Sequence, residues 1–202
     1  MIGYGAEPTP NSNHFGQFGI SSRKYILYVA RLEPENNPEL VLRAYRELRT
    51  DWPLVIVGGN TYQPNYVEAL KRLADTRVVF TGPVYGDAYW SLQKNAGIVV
   101  FASEIGGIHP AFVEAMAAGN AVLYLDNEAN RETASGCGIP FSHSYSDLCT
   151  KLYDLIASPQ QIEQLRTEAA NIAQMVYDWD RVADHYERLF EALCHRTNLK
   201  QV

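Results

Sequence analysis

The sequence predicts an α/β protein: a six-stranded parallel sheet with helices on both faces, followed by C-terminal helices. Six short apolar runs alternate with segments of helical periodicity along the 202 residues. The runs are apolar at successive positions, which is typical of strands that are covered on both faces. Glycines and polar residues follow the runs directly, where right-handed βαβ units bring ligands to the edge of a sheet.

The composition is that of a globular domain with a terminal extension. Hydrophobic residues make up 47% and charged residues 20% of the chain, both of which are ordinary values. The net charge of −6 and the lack of a basic run argue against a nucleic-acid partner. We expect no transmembrane segment and no signal peptide, because no long apolar run occurs. Three cysteines without CxxC spacing indicate free thiols in a reducing cytosol.

The first half of the chain contains three predicted strands. Residues 1–22 are rich in Gly, Pro, Asn and Ser and show no period, so we expect a linker or arm from a missing N-terminal domain. The predicted elements after this arm are a strand over 25–30, a loop over 31–38, an amphipathic helix over 38–48, a strand over 54–57, a helix over 65–74 and a strand over 78–81.

The second half contains three more strands. Asp87 is the expected cap of a helix that ends near Asn95, and Ser146 and Asp147 favour the start of another. The other predicted elements are a strand over 97–101, a helix from 110, a strand over 121–125, a polar turn over 126–132, a strand over 138–141 and helices over 159–177 and 179–194. The expected domains are the arm, a sheet domain over 23–177, and a C-terminal helix and tail over 178–202.

The stretch from Phe101 to Gly119 is the strongest candidate site. It reads as a strand end, a turn at Gly106 and Gly107, and a helix with Pro110 in its first turn. Such a turn presents unpaired backbone N–H groups and the positive end of a helix dipole, which together bind anions such as phosphate. Glu114 lies one turn further on, where it can face the same ligand.

Several blocks of the sequence resemble the donor-binding half of retaining GT-B glycosyltransferases of glycosyltransferase family 4. The blocks are residues 29–37 (VARLEPENN), 78–82 (VVFTG) and 114–122 (EAMAAGNAV), in the family's order and spacing. Residues 106–110 (GGIHP) and 126–132 (DNEANRE) resemble a subgroup that includes bacterial rhamnosyltransferases of polysaccharide assembly.

The resemblance implies a Rossmann-like C-terminal domain that binds a UDP-, GDP- or dTDP-linked sugar in a cleft facing an acceptor-binding domain. That domain is missing or forms a separate chain. The implied activity is transfer of the sugar to a saccharide or lipid-linked acceptor in polysaccharide or cell-envelope assembly. We expect a cytoplasmic protein, with peripheral attachment to the inner face of the membrane through the missing domain as an option. No metal and no further cofactor is expected, because no His/Cys cluster has metal-ligand spacing.

The resemblance also assigns roles to single residues. Glu114 aligns with the second acid of the family motif and would accept hydrogen bonds from the ribose hydroxyls. The diphosphate would be bound by Arg31 together with residues 106–109, which are Gly106, Gly107, Ile108 and His109. This chain departs from the family pattern twice, with Gly106 in place of the first acid and Asn36 in place of a lysine. Glu104 is a candidate for the missing contact to the transferred sugar.

Two further loops are candidates for the base or phosphate, namely Gly58 with Gly59 and Thr81 with Gly82. Each site residue also has a plain structural interpretation. Arg31 could pair with Glu33 or Glu35 at the surface. Glu114 could be a solvated helix acid, His109 could be structural, and the glycines could simply end strands.

Two functional hypotheses remain. The first is the donor-binding half of a glycosyltransferase, which is inactive alone because the acceptor domain supplies further active-site residues. The second is a non-catalytic sugar-nucleotide-binding partner subunit, which the two departures favour. Outside the site, we expect Asn130, Arg131 and Glu132 to form a helix cap with a surface salt bridge. Trp179 and Tyr186 are expected to pack a helix on the sheet or on the missing domain.

Overall fold

A computed structural model describes residues 4–6, 14–60 and 62–198, with side chains as far as residue 194. Six strands and eight α-helices are found in this part of the chain. The strands are β1 (Ile26–Val29), β2 (Leu54–Val57), β3 (Val78–Gly82), β4 (Ile98–Phe101), β5 (Ala121–Leu125) and β6 (Ile139–Phe141). The helices are α1 (Pro38–Glu47), α2 (Pro64–Leu73), α3 (Gly86–Asn95), α4 (Pro110–Ala117), α5 (Glu128–Ala134), α6 (Tyr145–Ile156), α7 (Pro159–Val176) and α8 (Trp179–Asn198).

The six strands form one sheet in the order β3-β2-β1-β4-β5-β6. All five strand pairs are parallel; Ile26 of β1, for example, lies opposite Leu54 on one side and Ile98 on the other. The predicted Rossmann-like sheet is therefore confirmed. The strand order reverses between β1 and β4, and the crevice at such a switch point is the usual ligand site of an open α/β sheet.

Each face of the sheet carries its own apolar core. Ile26, Tyr28 and Ile56 pack with side chains of α1 and α6 on one face. Leu27 and Val57 pack with side chains of α4 and α7 on the other. Successive strand residues thus serve opposite cores, which explains why the strands are apolar without alternation.

The predicted polar turn over residues 126–132 was wrong, because α5 begins inside it. The Asn127 side chain caps α5 by accepting a hydrogen bond from the Asn130 backbone N–H at 2.8 Å. Asn130 is buried and donates to the carbonyls of Ser103 and Leu125. The segment is polar like a turn because its asparagine side chains form hydrogen bonds to backbone groups. Arg131 makes the expected surface ion pair, with Asp126.

Two predicted helix starts were displaced by one or two residues. Tyr85 occupies the N-cap position of α3, and Asp87 lies inside its first turn. Ser144 caps α6 by accepting from the Asp147 backbone N–H. Asp87 and Asp147 both lie near the positive end of a helix dipole, so they favour the helices without capping them.

The described part of the N-terminal arm packs on the sheet domain. A 3₁₀-helix, His14–Phe18, places Phe15 and Phe18 against the core that contains α4. Nearer the N-terminus, the Tyr4 ring contacts Trp179 with centroids 5.2 Å apart. Residues 1–3 and 7–13 of the predicted arm lie outside the described residues, and the boundaries at 22 and 177 stay predictions.

Helix α8 leaves an apolar face exposed. Val182 is buried, whereas Trp179 is 41% and Tyr186 43% exposed, and they contact Tyr4 and Phe190, respectively. Large exposed apolar side chains of this helix also include Leu189 and Leu193. Among the described helices, none has the length and apolar composition needed to cross a membrane.

Candidate functional site

A cavity of about 780 Å³ lies over the carboxyl ends of β1, β2 and β3. This volume is within the range typical of small-molecule sites. Three strand-end segments form most of its wall, and α2, α3 and α4 add the rest. The lining residues are 29–32, 57–60, 80–85, Pro64, Val67, Glu68, Lys71, Tyr89 and Ala111.

The cavity brings together one part of the predicted site. Its lining includes five predicted residues from three different loops: Arg31, Gly58, Gly59, Thr81 and Gly82. Glu104, Glu114 and residues 106–109 are not among the lining residues, although Ala111 of α4 is. Glu114 connects to the cavity wall through a hydrogen bond with Tyr89.

Gly58 is required by a close approach of two loops. Its φ of +140° is disfavoured for residues with a Cβ, and a Cβ there would lie 1.8 Å from the carbonyl oxygen of Ala30. Its N–H donates to the Gly82 carbonyl at 3.0 Å, and Leu32 donates to the Gly59 carbonyl at 3.2 Å. These contacts join the three strand-end segments of the cavity wall.

Arg31 lines the cavity and also makes the surface ion pair that was the alternative interpretation. Its guanidinium lies 3.2 Å from the Glu33 carboxylate, and its side chain is 76% exposed. The Glu33 side chain is only 17% exposed, so Arg31 is the solvent-facing partner of this pair and Glu33 the largely buried one.

Asn36, in place of the family's lysine, holds the loop after β1 in shape. Its amide donates to the Arg31 carbonyl at 2.9 Å, and its Oδ1 accepts from the Ser103 hydroxyl at 2.8 Å. The residue brings no positive charge to the site. It links the loop after β1 to the loop after β4.

The position of the family's first acid is closed to a side chain in this conformation. Gly106 has φ +139°, and a Cβ there would lie 2.5 Å from the imidazole of His109. That imidazole packs on Phe101, with ring centroids 4.9 Å apart. Burial lowers the pKa of His109, which favours the neutral imidazole at neutral pH.

Glu104 belongs to a polar cluster that sequence analysis did not find. Its Oε1 lies 2.8 Å from His143 Nε2 and accepts from Asn37 Nδ2 at 2.9 Å. Asn37 also contacts His143 directly, at 3.0 Å. The cluster joins the loops after β1, β4 and β6, and of its three residues only His143 had no motif or candidate role in the sequence.

Glu114 is half-buried, and tyrosines contact both of its carboxylate oxygens. Tyr89 donates to Oε2, and Tyr4 donates to Oε1 at 3.4 Å. Burial, reinforced by the Glu114 charge, raises the pKa of Tyr89, which therefore stays protonated. Tyr89 had no signal in the sequence, because a single tyrosine at this helix position is also an ordinary core residue.

The groups that the site offers to a ligand are oxygen and nitrogen atoms of side chains and backbone. Across the described ranges, no group of three or more His, Cys, Asp or Glu side chains could hold a metal ion. Arg31 offers a guanidinium to the cavity, while the start of α4 and Glu114, which are not lining residues, offer backbone N–H groups and a carboxylate. These groups suit an anion attached to a polyol.

The family model for "Glycosyl transferases group 1" matches residues 11–170. The chain belongs to this family. The resemblance to the C-terminal domain of GT-B glycosyltransferases is thereby confirmed, while membership of the rhamnosyltransferase-like subgroup stays a prediction.

Curated relatives of this glycosyltransferase chain are longer than the chain itself. A lipopolysaccharide 1,2-N-acetylglucosaminetransferase of Salmonella typhimurium is 26% identical over 199 residues, which cover 88% of this chain and 51% of the relative. A Campylobacter jejuni N-acetylgalactosaminyltransferase, whose name includes a diphospho-undecaprenol substrate, is 28% identical over 114 residues, covering 56% and 31%. The chain thus spans about half or less of the length of these relatives.

Solved glycosyltransferase structures share the fold. Anabaena Alr3699/HepE in complex with UDP and glucose superposes with a TM-score of 0.80 at 18% identity, covering 88% of this chain and 50% of that one. Sucrose-phosphate synthase from Thermosynechococcus elongatus gives 0.84 at 19% identity, covering 96% and 52%. In both, the matched part is about half of the solved chain.

Proposed function

We propose that this chain is the donor-binding domain of a group 1 glycosyltransferase and that it binds a nucleoside-diphosphate sugar. One observation carries the proposal. The 780 Å³ cavity at the carboxyl ends of β1–β3 brings Arg31 together with Gly58, Gly59, Thr81 and Gly82. Glu114 is connected to the wall of the same cavity through Tyr89. The UDP bound to the Anabaena relative supports a nucleotide as the ligand.

The residue roles follow from the chemistry of a nucleoside diphosphate. The guanidinium of Arg31 and the backbone N–H groups at the start of α4, around Ile108 and His109, bind the diphosphate. Glu114 accepts hydrogen bonds from the ribose hydroxyls. The base lies against the loop at Thr81 and Gly82, whose backbone groups provide its polar contacts.

Transfer breaks the bond between the sugar's anomeric carbon and a diphosphate oxygen and forms one to an acceptor hydroxyl oxygen, and the hydroxyl proton passes to the departing diphosphate. Negative charge grows on the departing diphosphate, and fixed donors around it lower the barrier. Arg31 is the cation proposed to supply this stabilisation, since Asn36 carries no charge and the other lining cation, Lys71, is paired with Glu68 at 2.8 Å. Retention of anomeric configuration is part of the proposal through the family resemblance.

The acceptor is proposed to be a saccharide or lipid-linked glycan, bound by a second domain. Relatives about twice as long support such a domain, and its contact surface includes the exposed apolar face of α8. We expect the chain alone to bind the donor without transferring the sugar. The names of the bacterial relatives support a role in cell-envelope glycan assembly.

A second candidate is a non-catalytic sugar-nucleotide-binding subunit. It is favoured by the closed space at Gly106, where His109 fills the position of the family's first acid. Both candidates bind the donor at the same site, but only the transferase transfers the sugar. Sugar transfer by the chain together with its acceptor-binding domain supports the transferase, and donor binding without transfer supports the subunit.

A thermal-shift panel of UDP, GDP and dTDP tests the proposal. A ligand at one hundred times its Kd stabilises the fold by about 2.7 kcal/mol, which raises Tm by about 5–10 °C for a chain of this size. Arg31→Ala and Glu114→Ala should each abolish most of the rise. Arg43→Ala is the matched control, because Arg43 makes a similar surface ion pair, with Glu39, outside the cavity. No rise with any of the three nucleotides would contradict the proposal.

A further inference from the structure

The Glu114 carboxylate lies at the end of a hydrogen-bond relay that starts in the core. We propose that Tyr89 is a positioning residue, which fixes the orientation in which Glu114 accepts the ribose hydroxyls of the donor. Tyr4 of the N-terminal arm makes a second, weaker contact to the same carboxylate. The inference rests on the proposed function of Glu114 and adds residues that the family resemblance did not assign.

The relay has a defined direction. Gln93 is fully buried, and its Nε2 donates to the Tyr89 hydroxyl oxygen at 2.9 Å. Because the phenol oxygen accepts this bond, its single proton is directed to Glu114 Oε2. A bond from a hydroxyl to a carboxylate is charge-assisted and stronger than one between neutral groups.

Two side-chain links hold α3 and α4 at a fixed spacing around the relay. Tyr89 of α3 reaches Glu114 of α4. Asn120, just after α4, donates to the Gln93 carbonyl at 2.8 Å and to the Ala115 carbonyl at 3.1 Å. Asn120 is fully buried, so the base of the relay lies in the core.

Tyr89 is also the point at which the relay meets the cavity. Its side chain lines the cavity, whereas Glu114 is not among the lining residues. A carboxylate has about four acceptor positions, so the two tyrosine donors leave capacity for the two hydroxyls of a ribose. Removing only the Tyr89 hydroxyl leaves the ring in the cavity wall and frees the carboxylate to turn.

The Tyr4 contact should matter less than the Tyr89 contact. At 3.4 Å it is near the limit for a hydrogen bond. The Tyr4 ring packs against the indole of Trp179, and the Ala6 backbone N–H donates to the Tyr177 carbonyl at 2.7 Å. Tyr4 is therefore held in position by its neighbours, but its hydrogen bond to the Glu114 carboxylate is weak.

Isothermal titration of UDP and 2′-deoxy-UDP tests the inference on wild type, Tyr89→Phe, Tyr4→Phe and Tyr153→Phe. Tyr153 is the matched control, a tyrosine on α6 that is 58% exposed. Tyr89→Phe should weaken UDP binding about fivefold, as expected for one lost hydrogen bond, and should weaken 2′-deoxy-UDP binding by a smaller factor, because that ligand offers Glu114 only the 3′-hydroxyl. Tyr4→Phe should have a smaller effect in the same direction, and Tyr153→Phe none.

The other outcomes of this titration test the positioning role of Tyr89 and the proposed function separately. Equal weakening of both nucleotides, or no change, in Tyr89→Phe would overturn the positioning role while leaving the proposed function intact. If wild type binds no nucleoside diphosphate, the proposed function fails instead. Crystal structures of wild type and Tyr89→Phe then give the ligand-independent result: a displaced Glu114 carboxylate supports the positioning role, and an unmoved one overturns it.

Discussion

At the residue scale, Gly58 shows how a conformational requirement and a close contact coincide. The sequence predicted either a ligand approach or a plain strand end at this glycine. The structure adds a third reason, because the Ala30 carbonyl occupies the place of a Cβ. No sequence pattern indicates which backbone atom of a distant loop will lie against a glycine.

Gly58→Ala should therefore lower the free energy of unfolding by at least about 2 kcal/mol, from positive-φ strain and the clash with backbone. Gly59→Ala is the matched control, since a Cβ there meets only the Pro83 ring at 3.4 Å. Its effect should stay within about 0.5 kcal/mol. Urea unfolding of both variants measures the difference, and similar values for the two would contradict the assigned contact.

Gly106 and His109 form a second pair in which one residue explains the other. The sequence showed that the family's first acid is absent, but not that its space is filled. Because the imidazole lies 2.5 Å from a Cβ at position 106, the two positions should be energetically coupled.

We predict that Gly106→Ala costs about 2 kcal/mol of unfolding free energy in the wild type and about 1 kcal/mol in a His109→Ala background, where only the φ strain remains. A double-mutant cycle by chemical denaturation measures both values. An equal cost in the two backgrounds would show that the imidazole does not occupy this space.

At the element scale, the strands and most helices could be predicted from apolar runs and periodicity. Helix α5 could not, because its residues follow no apolar period. Its buried face is formed partly by Asn130, which is held by the Ser103 and Leu125 carbonyls. A polar side chain that satisfies backbone carbonyls is indistinguishable, in sequence, from one that faces water.

Asn127→Ala should cost about 1 kcal/mol, the usual value of a lost N-cap. Asn127→Ser keeps a capping oxygen but loses the bond from the amide to the Ser103 carbonyl. Because it keeps the cap, Asn127→Ser should recover most of the stability that Asn127→Ala loses. Thermal and urea denaturation of both variants give the comparison, and an equal loss in the two would mean that the Ser103 bond, not the cap, holds α5.

At the scale of the whole molecule, the site is divided between two sets of loops. The cavity lies over β1–β3, while the polar cluster of Asn37, Glu104 and His143 joins the loops after β1, β4 and β6. The sequence predicted the first set from strand-end glycines and an arginine. It could not predict the second, because these three residues lie far apart in the chain and meet only through the sheet topology.

The exposed face of α8 also belongs to the scale of the whole molecule. Helical periodicity predicted α8, but it does not indicate what packs against the exposed face of this helix. Large apolar side chains are roughly half exposed along this helix, as the proposed contact with an acceptor-binding domain requires. The cavity over β1–β3, in contrast, is lined by described residues of the sheet domain.

The most direct test of the donor site is amide chemical-shift mapping of the ¹⁵N-labelled chain titrated with UDP. The proposed site predicts that shifts concentrate at Arg31, Gly58, Gly59, Thr81, Gly82 and the start of α4, with α6 unaffected. Absence of shifts, or shifts centred on another surface such as α6 or α8, would contradict it.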